Sequence, residues 1–158
     1  MGSLSKLNQY RMMVILLLMM GALWMAKKQV RGVRNNNPLN IRIGNDWQGE
    51  AIISKDAEFE TFKHAKYGFR AGAKLLRNYQ NRYGLVTVRE IIHRFAPPNE
   101  NDTKNYSGFV ADKIGVSEDA PINLADSELL ARMLHAMSIM EVGRHYSLDD
   151  AREGVAIA

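Results

Sequence analysis

Residues 31–62, RGVRNNNPLNIRIGNDWQGEAIISKDAEFETF, decide how the rest of the chain is read. The stretch opens on Arg31, Gly32, Val33 and Arg34 followed by three asparagines, a run too polar and too rich in helix-disfavouring residues for a helix interior. It reads as a shaped loop. Pro38 restricts Asn37 to an extended conformation, and three strand-like segments follow at 39–43, 47–53 and 58–62. Gly44-Asn45-Asp46 and Ser54-Lys55-Asp56 between them are turn chemistry. The expectation is a small antiparallel β-sheet.

Upstream, residues 12–26 (MMVILLLMMGALWMA) form an unbroken apolar run. As a helix this run is roughly 22 Å long, short of the ~30 Å hydrocarbon core of a bilayer unless Arg11 and Lys27 snorkel. A cleavable signal peptide is the rival reading. Cutting after Ala26 or Ala22 would leave Trp24 or Met20 at the minus-three position, and neither is small, so an uncleaved transmembrane anchor is favoured. Residues 1–11 are then a polar N-terminus and 27–34 a basic linker carrying Lys27, Lys28, Arg31 and Arg34. That cluster could meet anionic lipid, nucleic acid or an acidic polymer, but it lacks interleaved aromatics, and nucleic acid is not an expected partner. The positive-inside bias places the C-terminal domain on the cytoplasmic face or the interior of an enclosed membrane.

Downstream the pattern turns helical. Residues 65–83 carry Phe69, Gly72, Ala73, Leu76, Tyr79 and Tyr83 at helical steps and stop at Gly84. Thr87 caps a short helix that ends before Pro97-Pro98. After the polar loop APPNENDT, Asp102 or Thr103 starts a helix to about Ile114. Asp126 starts the best-patterned helix, with Leu129, Leu130, Met133, Leu134, Met137 and Met140 on a wide apolar stripe and Gly143 as its stop. The tail from 147 to 158 forms a further turn of helix or frays. With 158 residues, 46% hydrophobic content and a formal charge of +4, the chain holds one globular domain, 35–158, beyond the N-terminal run. No cysteine is present, and the four histidines lack metal-site spacing, so neither a metal nor another cofactor is expected.

Glu141 is the oddest charge in the chain. It follows Met137 by four residues, on the inward side of a helix end, where desolvation and the negative end of the macrodipole both raise a carboxyl pKa. That suits a general acid acting on a glycosidic oxygen; the blander reading pairs it with Arg144, His135 or His145 at the surface. Glu50, Glu58 and Glu60, with Asp46 and Asp56 in the turns, are candidates for a second carboxylate, Glu50 first among them, although strand charges are commonly a solvated face. Trp47, Tyr67, Tyr79 and Tyr106, beside Asn35, Asn36, Asn37 and Asn40, have the make-up of a sugar groove, because rings stack on apolar sugar faces and amides pair with hydroxyl and N-acetyl groups.

The order NNNPLNIRIG, WQGE, FETF and KYGFRAGAKLLRNY resembles the region after the catalytic glutamate in flagellar and autolysin-type peptidoglycan glucosaminidases of the lysozyme superfamily. Those enzymes end a core helix on E-[ST]-G just before that region. Here the matching Glu141-Val142-Gly143 lies at the other end of the chain, as in a circular permutation. The RNNNPxNIR, WxG and APPxENDT blocks with the final ExG are also similar, over residues 31–145, to a group of small phage virion-associated proteins taken to be muralytic. Val142 departs from the usual small or amide residue, and Phe95 stands where a tryptophan is common.

The residues together give the expectation of an α+β, mostly α, domain with a small antiparallel β-sheet, preceded by an N-terminal transmembrane helix, and the resemblance makes that domain lysozyme-like. It implies a virion-associated glycosidase or lytic transglycosylase acting on peptidoglycan, with Glu141 and Glu50 catalytic and Asn35, Asn36, Asn37, Asn40, Trp47, Tyr67 and Tyr106 binding substrate. Partners would be glycan strands, the bilayer through residues 12–26, and other virion proteins; the location would be a single-pass membrane site in the virion or the host inner membrane. The alternative is a non-enzymatic virion membrane protein that keeps the fold to bind wall or a partner.

Overall fold

The computed structural model describes residues 30–54, 56–97 and 103–158. The apolar run 12–26, Lys27, Lys28 and most of the APPNENDT loop lie outside the described residues. Among the described residues no helix is long and apolar enough to cross a membrane.

Among the described residues the helices are six: α1 (Arg31–Arg34), α2 (Ala65–Tyr83), α3 (Val88–Phe95), α4 (Thr103–Ile114), α5 (Ser127–Val142) and α6 (Leu148–Ala156). The expected sheet is not there. Between α1 and α2 the described residues hold only isolated antiparallel bridges, Arg42 with Phe59 and Glu50 with Phe62, and no strand. The side-chain amide of Asn37 explains this. Its Nδ2 donates to the carbonyls of Ile41 (2.9 Å) and Glu60 (3.0 Å), and its Oδ1 accepts the Ile41 N–H (2.9 Å). A fully buried amide thus takes groups that a neighbouring strand would pair. Left-handed backbone at Asn36 (φ 51) and Asn40 (φ 46) bends the segment further. The result is a mostly helical fold with a compact loop in place of the β-sheet.

The opening RGVR is likewise not a loop but a single helical turn, α1, with Asn35 as its C-cap. Gly32 makes that turn possible, since a Cβ there would stand 2.5 Å from Asn40 Oδ1 and Val142 Cγ1. Arg31 and Arg34, read from sequence as linker, converge on Asp56. Arg31 grips it with Nε at 2.6 Å and a terminal nitrogen at 2.7 Å, and Arg34 adds a contact at 3.1 Å.

Helix limits follow the capping chemistry. Asp126 Oδ1 accepts the backbone N–H groups of Glu128 and Leu129 at the start of α5, and Gly84 (φ 65) closes α2. Reciprocal capping boxes, Thr87 with Glu90 and Ser147 with Asp150, start α3 and α6. The tail is therefore a nine-residue helix packed on α2 and α5. Gly154 lets α6 approach α2, where an added Cβ would fall 2.3 Å from Phe69 Cβ. α5 supplies the middle of the core through Leu130, Met133, Leu134 and Met137, all fully buried. Leu39, also buried, plugs against Gly72 and so pins the loop to α2. That plug sets the position of the next residue, Asn40.

Candidate functional site

Glu141 sits in the last turn of α5, with its carboxylate held by two neutral donors from different parts of the chain. Asn40 Nδ2 donates to Oε2 at 3.0 Å and also to the Glu141 carbonyl at 3.2 Å, while the Tyr106 hydroxyl donates to Oε1 at 3.0 Å. No cation pairs with it within 4 Å among the described residues. Burial therefore raises the Glu141 pKa above the usual carboxyl range, and the bonds from Asn40 and Tyr106 offset only part of that rise. Tyr106 is itself buried, and burial together with the adjacent Glu141 pushes its phenol well above the ordinary value, so it stays a donor.

In front of Glu141 lies a cleft of about 400 Å³, within the size range of small-ligand sites. Leu39 to Ile43, Asn45, Trp47 and Phe59 form one side, and Leu75, Tyr79, Phe95 and Glu141 the other. Four of these side chains are aromatic, and Glu141 is the single carboxylate among the lining residues. The Arg42 guanidinium lies 5.1 Å from the centre of the Phe59 ring. Nε1 of Trp47 is buried without a hydrogen-bond partner among the described residues, as is Oδ1 of Asn40.

The residues singled out from sequence thus divide. Glu141, Asn40 and Trp47 come together on the cleft, and Tyr106 stands behind Glu141, touching the acid and not the open space. Asn35 and Asn37 are fully buried and spend their amides inside the chain, Asn35 on Asp56 at 3.0 Å. Asn36 donates to the Phe62 carbonyl at 2.9 Å and ties the loop to the start of α2. Tyr67 packs its ring under Gly49, where a Cβ would stand 2.1 Å from it, and does not line the cleft. Glu50 accepts the Trp47 N–H and shapes the turn that carries the indole; it too is absent from the cleft wall.

Glu60 is nearly buried, and its pKa is raised by burial and by the nearby Glu50, with N–H groups of Gly44 and Asn45 opposing. It braces the loop that bears Asn45. Arg42, Phe59 and Leu75 are cleft residues that sequence reasoning missed. Phe59 carries a readable signal, as an aromatic next to the buried charge Glu60 in an alternating stretch. Among the described residues no group of three His, Asp or Glu side chains is placed to hold a metal ion.

No protein-family profile matches the chain. It is 44% identical over 129 residues to Protein P5 of Pseudoalteromonas phage PM2, an alignment that spans 78% of this chain and 79% of that one. The chain therefore belongs to the family of this bacteriophage protein.

Proposed function

We propose that the chain is a muralytic protein of a bacterial virus that cleaves peptidoglycan glycan strands by single-carboxylate, lytic-transglycosylase-type chemistry. The observation that carries this reading is Glu141: a carboxyl group with a raised pKa, fixed by two neutral donors, facing a cleft with four aromatic walls. A raised pKa keeps the proton available to a leaving group, and the rings offer stacking surface to apolar sugar faces.

Protonated Glu141 would give its proton to the glycosidic oxygen as the C1–O bond breaks. The positive charge at C1 is then met by the carbonyl oxygen of the sugar's own N-acetyl group. The carboxylate left behind is stabilised by Asn40 and Tyr106, and it takes the proton from the sugar's 6-hydroxyl as that oxygen closes onto C1. This sequence needs one carboxylate, which is the number lining the cleft. A two-carboxylate hydrolase would need a partner facing Glu141, and Glu50 does not line that space.

Turbidity clearing of purified cell wall by the full chain, with the products separated by mass, is the test. Release of anhydro-muropeptides by the wild type, abolished in Glu141→Gln, is the expected result. Wild-type protein that sediments with wall yet releases nothing soluble points instead to a wall-binding virion protein without catalysis. Equal clearing by both forms removes Glu141 from the mechanism.

A further inference from the structure

The face of α5 turned away from Glu141 has its own pocket. Glu141 lies nine residues beyond Arg132, which at roughly 100° per residue is two and a half turns, so the two side chains leave the helix on opposite sides. On the Arg132 side a recess of about 200 Å³ opens, floored by Ala136 and Ile139 and rimmed by Lys113, Arg132, His135 and Arg144. No carboxylate lines it.

Two of its cations, Arg132 and Lys113, are placed by contacts to neutral groups. Arg132 donates one guanidinium N–H to the Lys113 carbonyl at 3.1 Å, which joins α4 to α5 and fixes the fork at the rim. Lys113 rests its ammonium 5.4 Å from the centre of the Phe109 ring. The nearby Glu128 is engaged by Arg152 through both oxygens, at 2.7 and 2.9 Å. Across the recess the His135 ring meets the Tyr146 carbonyl at 3.1 Å, and Tyr146 stacks edge-on against Phe69 at 5.7 Å. These two contacts hold the 143–147 turn that carries Arg144. Among the described residues neither Lys113, Arg132 nor Arg144 makes an ion pair within 4 Å.

We propose that this recess binds a phosphate group, separately from the Glu141 cleft and independently of any wall-cutting activity. Three cations around a concave, partly apolar floor, with Arg132 anchored and Arg144 exposed at the rim, suit a compact, multiply charged tetrahedral oxyanion that guanidinium and ammonium groups can bond together. A single carboxylate would leave two of the three charges unanswered.

The test is calorimetric titration of the full-length chain with inorganic phosphate, with chloride at matched ionic strength as the reference. One saturable site is expected, together with a rise in melting temperature on adding phosphate. Arg144→Gln, an exposed change that breaks no internal bond, should weaken binding roughly tenfold, as expected for one lost charge-assisted bond. Arg132→Gln with Arg144→Gln should abolish it, with circular dichroism confirming the fold. Heats indistinguishable from chloride, or equal phosphate affinity in wild type and Arg144→Gln, would overturn the proposal. Glycerol phosphate in solution and phosphatidylglycerol in vesicles, each competed with inorganic phosphate, distinguish a soluble ester from a lipid headgroup as the natural source.

Discussion

Asp56 and Glu141 are both carboxylates wrapped by the chain's own polar groups, and their pKa values are pushed in opposite directions. Asp56 is buried to 1% side-chain exposure against Arg31 and Arg34, with the Asn35 amide and the N–H groups of Glu58 and Phe59 filling its remaining lone pairs. Those partners, Arg31 first, hold its pKa far below the ordinary carboxylate range. Glu141 has an amide and a phenol in place of two guanidinium groups, and burial prevails. Desolvation met by full charge locks an anion in place as a structural tie. Desolvation met by neutral donors leaves a group poised to exchange a proton.

The largest expected effect lies on the second side of this contrast. Glu141→Gln should lower wall clearing by at least about 10²-fold, the scale of a lost general acid. The same change should leave thermal stability at pH 8 equal or higher. A carboxyl whose folded pKa is raised contributes stability that is full below its unfolded pKa and lost as pH rises through the folded one, and a neutral amide escapes that loss. A melting temperature that falls sharply would show Glu141 to be a structural anion like Asp56.

Asp56→Asn should behave in the reverse sense. A depressed pKa contributes stability above the unfolded value of about 4 and loses it as pH falls toward the folded one. The variant should therefore melt several degrees lower near neutrality, with the gap from wild type closing in acid. Gly32→Ala probes α1, which lies between the two sites: Arg31 and Arg34 face Asp56, while Gly32 abuts Glu141's partner Asn40 and its neighbour Val142. Overpacking there should cost roughly 1–3 kcal/mol and displace Asn40 from Glu141, so stability and clearing should fall together.

Tyr106→Phe removes one donor to the Glu141 carboxylate. Clearing should fall roughly tenfold, about the worth of one bond to a charged group, and the alkaline limb of the rate profile should move to higher pH because the anion has lost a partner. A limb that moves down instead would mean the phenol does not bond the ionised acid. Smallest of all, Glu50→Gln should keep clearing within about twofold. Its amide oxygen can still accept the Trp47 N–H, and the side chain does not line the cleft. A loss as deep as that of Glu141→Gln would restore a two-carboxylate mechanism.

What could be read from sequence was whatever local chemistry controls. The stop of α2 at Gly84, the Asp126 cap on α5 and the inward pointing of Glu141 all follow from spacing and capping residues near them in the chain. The 39–62 segment departs from the expected sheet where one amide, Asn37, takes the Ile41 N–H and the Glu60 carbonyl that would otherwise pair with each other; its fate depends on being buried and not on its neighbours' propensities. Asn35, Asn36 and Asn37 spend their amides within the chain, and an amide that satisfies the loop's own groups looks, in sequence, like one that would satisfy a ligand. Tyr67 lies outside the cleft because its ring packs under the left-handed turn at Gly49 (φ 89), a contact that no local pattern announces. The signal for α6 was present in Ser147-x-x-Asp150, a capping box with Asp in place of the commoner Glu.

Asn40 and Glu141 stand 101 positions apart in the chain. A protein emerging from a ribosome exposes the asparagine loop early and the acid late, so the half-sites meet only when α5 docks against the loop. No fragment shorter than that span carries the pair. The cleft therefore cannot assemble until the chain through α5 has been made and has docked.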